Sequence, residues 1–374
     1  MIYLDNAATT RTDKAVIEYM LPFFEENYIN PSAFYQPAVK VRMQVENSRR
    51  QIAECLGAPA DSIFFTSGGT EADNWAVRIG ARLGADRGRH IITSAIEHPA
   101  VLNTMKYMQE EGYEVTYLKV SREGVVDLDE LKNAIREDTV LISIMHANNE
   151  LGTIQPIKAI GEIAHENGIL FHTDAVQTFG HEPIDLGAYH IDLMSTSAHK
   201  LYGPKGIGFL YVRNRKAFGK LLFGGSQEKS LRPGTENVPA IMGYAKAVEL
   251  AYERMEKDKE HIGKLRELFI SKLKDAIPDV VINGNPDSCL LGTINVTFPG
   301  KSGEALLISL DQHGICASAG SACSAGALEP SHVLIAAGFS PEEAGKTLRF
   351  SIGRNNTEEE ILTTIDVLKG IFRV

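Results

Sequence analysis

Short β-branched runs alternate with segments of helical period from about residue 60 to residue 213. The runs "SIFFT" (62–66), "HIITSAI" (90–96), "EVTYLKV" (114–120), "TVLISIMH" (139–146), "GILFHTDA" (168–175), "IDLMSTSA" (191–198) and "GIGFLYV" (206–212) read as strands. Between them, "EADNWAVRIGARLGA" (71–85) and "PIKAIGEIAHENG" (156–168) read as helices. The second spaces its apolar residues at a helical period and ends on glycine, a helix stop. This alternation predicts an α/β fold with a mostly parallel seven-stranded sheet covered by helices on both faces. The last two runs are joined by only a short loop, which suits an antiparallel pair. The segment 239–276 is strongly helical in propensity, and a domain boundary is expected within it, near residue 255. Beyond it, "TINVTF" (293–298) and "LRFSIG" (348–353) mix with helices, as in a smaller α+β domain.

Composition narrows the function classes. The 374 residues are 44% hydrophobic and 23% charged, ordinary for a globular enzyme of this length. A net charge of −10 argues against nucleic acid or an anionic membrane as the main partner. The start, "MIYLDNAATT", has neither a basic n-region nor an apolar h-region, and no apolar run approaches the length of a membrane span. The four cysteines, Cys55, Cys289, Cys316 and Cys323, form no C-x-x-C pair and no zinc spacing, so no metal is expected. Reduced thiols in a cytoplasmic protein follow from that usage. Cys55 and Cys289 read as small core hydrophobes, and Cys316 as the end of a strand. Cys323 differs: it stands in "ASAGSACSAG" (317–326), a loop of small residues with almost nothing to bury.

The chemistry gathers where the strands end, the place at which open α/β sheets bind ligands. "SIFFT" runs into Ser67, Gly68, Gly69 and Thr70, small residues that open a helix and can take a phosphate on its N–H groups. "HIITSAI" is followed by Glu97 and His98, "TVLISIMH" by Asn148, Asn149 and Glu150. "GILFHT" is followed by Asp174 and Gln177, "IDLMSTSA" by His199 and Lys200. A buried Asp needs a cationic partner. A Lys among strand ends can form a Schiff base, and an imidazole can stack on a ring. Asp, Lys, ring stacker and phosphate cup together fit pyridoxal 5′-phosphate (PLP).

The segments "YLDNAATT" (3–10), "FTSGGTEADN" (65–74), "EHPAV" (97–101), "MHANNELGTIQPI" (145–157), "HTDAVQTFG" (172–180), "STSAHKLYGPKGIG" (195–208), "RPGTENVPAI" (232–241), "GSACSAGALEPSHVL" (320–334) and "LRFSIGRNNTEEEI" (348–361) occur in one order along nearly the whole chain. In that order they resemble the cysteine desulfurases of the NifS/IscS type. The resemblance implies the fold-type I architecture of PLP-dependent transferases. It divides the chain into an N-terminal segment (1–15) associated with the small domain, a large PLP-binding domain (16–255) and a small C-terminal domain (256–374). It also implies a homodimer with active sites at the subunit interface.

Residue by residue, the resemblance implies Lys200 as the Schiff-base lysine and Asp174 as the partner of the pyridinium nitrogen. Gln177 would hydrogen-bond the ring hydroxyl, and His98 would stack on the ring and help move protons. Gly69, Thr70, Ser197 and His199 would bind the phosphate, with Thr235 reaching it from the other subunit. Asn149 and Arg354 would clamp the carboxylate of L-cysteine. Cys323 would take the substrate sulfur as a persulfide, leaving alanine, and carry it to an acceptor such as an Fe–S scaffold of the IscU/NifU type. A small-residue loop suits that double task. A related lyase of selenocysteine or cystine, or a non-catalytic scaffold homologue, is the alternative. "NPSAFYQP" (30–37) and the short tail depart from the family pattern, so partner docking is expected to differ while the chemical groups stay.

Overall fold

The computed structural model describes residues 1–319 and 330–372. The strands among these residues are β1 (Ile2–Tyr3), β2 (Ile63–Thr66), β3 (His90–Ser94), β4 (Glu114–Leu118), β5 (Thr139–Ser143), β6 (Leu170–Asp174), β7 (Leu193–Ser197), β8 (Gly208–Val212), β9 (Val281–Asn283), β10 (Thr293–Thr297), β11 (Ile315–Cys316) and β12 (Thr347–Ser351). Each of the seven runs read as a strand between residues 60 and 213 lies in one seven-stranded sheet of order β2-β8-β7-β6-β5-β3-β4. The pairs from β4 through β7 are parallel, and β7/β8 is antiparallel as its short connection required. The reading did not anticipate that β8 would insert between β7 and β2, pairing antiparallel with both.

Strands β2, β3, β5, β7 and β8 are buried at every position, as strands covered on both faces must be. The edge strand β4 is only partly buried. Helix Gly69–Leu83 lies on one face, where Trp75 packs between Phe64 and Phe218, each with ring centroids 5.7 Å away. The indole N–H donates to the Gly219 carbonyl at 2.9 Å, so the largest core side chain buries no unpaired polar atom. Chain order reverses between β3 and β5, so the sheet has its switch point beside the loops that carry His98 and Asn149.

Helix Val238–Ala276 runs for 39 residues through the expected boundary without a break. Its first half joins the core beneath the large sheet through Tyr244, Val248 and Ala251. Its second half gives Leu265, Phe269 and Leu273 to a separate core with the three-stranded sheet β12-β10-β9. The chain's first residues belong to that second unit: β1 pairs parallel with β11, and Asp5 bridges to Ser351.

A buried ion pair fastens helix Gln36–Cys55 to the large sheet. Arg49 is 2% exposed, and its Nη1 and Nη2 donate to both carboxylate oxygens of Glu228 at 2.7 Å. Arg49 also donates to the Ile63 carbonyl at 2.8 Å, and Glu228 accepts from the Phe65 N–H at 3.0 Å. Glu228, Lys229 and Ser230 all have positive φ, at 45°, 57° and 66°, a costly run for residues with a Cβ. The doubly bonded carboxylate holds that turn in place. Removing one partner leaves the other charge buried and alone, so Arg49→Met is expected to cost about 3–5 kcal/mol of stability. Urea unfolding measures it; a loss under about 1 kcal/mol would mean the pair behaves as an exposed one.

Candidate active site

One cleft of about 760 Å³, partly open to solvent, gathers most of the residues that the sequence singled out. Its walls include Gly69, Thr70, His98, Asn149, Asp174, Gln177, Ser197, His199 and Lys200. They come from the ends of different strands, which explains how positions far apart in sequence meet.

At one end, helix Gly69–Leu83 opens without a side-chain cap. Its first helical bond runs from the Ala72 N–H to the Gly68 carbonyl at 3.2 Å, so the preceding N–H groups face out of the helix's positive end. Gly68 has φ 151°, a value glycine tolerates best, and a Cβ on Gly208 would lie 2.9 Å from Gly68 Cα. Two glycines therefore let this turn sit tight against β8. Ser197 and His199 line the same wall as this helix start. His199 Nδ1 lies 3.1 Å from Thr9 Oγ1, and burial, with Lys200 and Lys205 nearby, depresses the imidazole to about 4.

Asp174, the last residue of β6, lines the same cleft. It is buried, and its Oδ1 accepts from the Val176 N–H at 2.9 Å. Burial raises its pKa, while His98, the Val176 N–H and Lys200 act the other way. A carboxyl in that position asks for a cation. His98 caps helix Pro99–Glu110: its Nδ1 accepts from the Ala100 N–H at 3.1 Å, which puts the ring proton on Nε2. Burial lowers its pKa, so at neutral pH it is an uncharged ring. Lys200 Nζ donates to the Ala7 and Ala8 carbonyls at 2.6 and 2.7 Å, and Gln177 Nε2 donates to Ala7 at 3.1 Å. The N-terminal segment thus holds two of the key side chains at the cleft.

Arg354 is a correction. It does not line this cleft: its guanidinium lies on the Tyr202 ring at 3.7 Å from the centroid, 3.1 Å from Asp258 and 3.7 Å from Asp13. Its backbone N–H donates to the Tyr202 hydroxyl at 2.7 Å. Arg354 follows the end of β12 and joins three segments; its Nε, like that of Arg349, has no hydrogen-bond partner, but it faces Asp258 rather than the cleft. Arg349, in the middle of β12, reaches the cleft instead. It is 1% exposed, donates from Nη1 to the Asn149 carbonyl at 2.8 Å and from Nη2 to Asp5 at 2.7 Å, and leaves Nε without a hydrogen-bond partner. The signal was in the sequence: an arginine inside the apolar run "LRFSIG" is costly unless it is used.

Asp73 and Glu97 were also passed over as site residues. Asp73 lines the cleft beside Asp174. Glu97 lies beneath it, fully buried, bonded to Ser94 at 2.5 Å and to the Met145 N–H, and burial pushes its pKa up to about 8. Thr235 faces a different cavity, with Ser67, Gly206 and Arg232. Cys323 lies outside the described residues. The chain picks up again before Ser331, whose Oγ bonds Glu150 at 2.5 Å, and His332, whose Nε2 bonds the Glu97 carbonyl at 3.0 Å.

The aminotransferase class-V family model matches residues 2–363. The cysteine desulfurase IscS of Methanosarcina thermophila is 50% identical over 370 residues, which is 99% of this chain and 91% of that protein. Among solved structures, a NifS-like protein superimposes with a TM-score of 0.93 at 39% identity, covering 100% of this chain and 99% of its own. SspA in complex with cysteine gives a TM-score of 0.84 at 39% identity, covering 96% of this chain and 100% of its own. The chain belongs to the aminotransferase class-V family, among the cysteine desulfurases of the NifS/IscS type.

Proposed function

We propose that this chain is a PLP-dependent cysteine desulfurase that converts L-cysteine to L-alanine and passes the sulfur to an acceptor through Cys323. The observation that carries the reading is the cleft in which Asp174, Lys200, His98 and an incompletely bonded Arg349 face one another. The donor set fits PLP: one cleft brings together an uncapped helix N-terminus, a buried carboxyl, an amine and an uncharged ring. When bound, PLP supplies an electron sink for bond breaking at the substrate's α and β carbons.

The protein's own groups do the rest. Asp174 would hold a proton on the ring nitrogen of bound PLP, and Lys200 would hold the cofactor aldehyde and, once released, move the substrate α-proton. His98, with its proton on Nε2, donates into the cleft rather than adding charge. Arg349 anchors the substrate carboxylate, Nε completing its set of donors, with Asn149 alongside. The Cys323 thiolate attacks the substrate sulfur, the Cβ–S bond breaks, and protons return to carbon. The sum is one L-cysteine and one Cys323 thiol to one L-alanine and one Cys323 persulfide.

The relative bound to cysteine supports the substrate class. An Fe–S scaffold or another thiol-bearing protein would receive the sulfur. The exposed aromatic side chains of Phe34 (97%) and Phe223 (89%) support contact with a second copy of the chain, with Thr235 contributing to its neighbour's phosphate site. No helix among the described residues is long and apolar enough to cross a membrane, and reduced thiols suit the cytoplasm. The test is the visible spectrum of the purified protein, alanine release from L-cysteine, and mass spectrometry of Cys323. A cofactor band, alanine and a mass gain of one sulfur are expected. Cys323→Ala should keep the band and lose sulfur transfer; unchanged alanine and sulfide formation in that variant would remove Cys323 from the mechanism.

A further inference from the structure

We propose that Asp73 is a positioning residue for Asp174: a second buried carboxyl that keeps its proton, so that the pair carries one negative charge and that charge sits on Asp174. The part played by PLP in this inference rests on the function proposed above; the location of the proton does not.

The geometry comes from register. Asp174 on β6 pairs directly with Ser195 on β7, and His172, two residues earlier on the same face of β6, is in register with Ser143 of β5. Helix Gly69–Leu83 lays Asp73 against this row. His172 Nδ1 lies 2.8 Å from Ser143 Oγ and its Nε2 lies 3.0 Å from Ser195 Oγ. Burial holds that imidazole down to about 3, so it is neutral and can offer only one donor. Asp73 is 1% exposed, its Oδ1 is 3.7 Å from His172 Nε2, and that oxygen has no hydrogen-bond partner. Ser195 is its hydrogen-bonding neighbour.

An ionised Asp73 would need a cation here. The titratable groups facing it are Asp174 and His172 on β6 and Glu97 after β3; Lys200 and His98 lie toward Asp174 and act on it. Among the described residues no lysine or arginine acts on Asp73; burial and the charges of Asp174 and Glu97 raise its pKa, and the Ser195 hydrogen bond alone acts the other way. Two carboxyls in one water-poor site do not both ionise. Asp174, with the Val176 N–H, His98 and Lys200 beside it, is the better place for the charge. A protonated Asp73 then fills the floor of the cleft with a dipole instead of a second anion.

The experiment is carbon-13 NMR of the full chain with aspartate labelled at the carboxyl carbon, with and without PLP. One protonated buried aspartate is expected near neutral pH, present in both states and lost in Asp73→Asn. No such signal, or a signal that survives Asp73→Asn and vanishes in Asp174→Asn, overturns the assignment. Affinity for PLP is the second readout. Asp73→Leu, which deletes the partner of Ser195, should weaken it about tenfold or more, and Asp73→Asn, a neutral isostere, should restore most of it. Equal losses in both variants would mean that Asp73 works as an anion. If the chain bound no PLP at all, the function proposed above would fail, and the NMR result would still stand or fall by itself.

Discussion

Lys200→Ala is expected to lower alanine formation from L-cysteine by about 10²- to 10⁴-fold or more, the range of a positioned proton-transfer group. The fold should survive, because the Nζ hydrogen bonds to the Ala7 and Ala8 carbonyls join one short segment at the wall of an open cleft. Those carbonyls can bond water once the side chain is gone. Lys200→Arg separates charge from chemistry. Arginine keeps the cation and can reach the same carbonyls, but its guanidinium does not deprotonate and cannot make a Schiff base. Both variants should therefore lose turnover, and neither should be labelled at residue 200 when the cofactor is reduced with borohydride. Turnover within tenfold of the parent in Lys200→Arg would show that this amine is not the one that reacts.

The large sheet was legible in the sequence because each strand is a compact apolar run bounded by polar residues. Burial on both faces removes the alternation of a half-buried strand, so short length and β-branched content carry the reading instead. The insertion of β8 was not legible: "GIGFLYV" shows a strand, but which neighbours it takes depends on where β2 waits, about 140 residues earlier in the chain. Several residues that follow strand ends line the cleft. Asp174, Lys200, His98 and Asn149 all follow that rule. The rule failed for Arg349, which sits mid-strand and reaches the cleft from the small sheet. It failed for Asp73 too, which enters from the first turns of a helix that reads as packing. Arg354 shows the opposite error. The resemblance assigned it to the substrate carboxylate, yet its face is filled by the Tyr202 ring and its charge by Asp258.

The two arginines give the sharper test of the substrate site. Arg349→Lys keeps a cation near Asp5 and a donor near the Asn149 carbonyl, so the cleft should stay folded. It removes the planar fork and the Nε–H that the structure leaves without a partner. Hydrogen bonds to charged groups contribute about 1.5–3 kcal/mol each, so loss of one lowers kcat/KM for L-cysteine roughly 10- to 150-fold. The loss should disappear with L-cysteine methyl ester, whose carboxyl carries no charge for Arg349 to meet. Arg354→Ala should do the reverse. It takes one of two arginine partners from the partly buried Asp258 and uncovers Tyr202, so thermal unfolding shifts down by several degrees, while the parent's preference for L-cysteine over the ester stays. If Arg349→Lys left that preference intact and Arg354→Ala abolished it, the carboxylate would bind beside Tyr202. The cleft around Asp174 would then hold the cofactor alone.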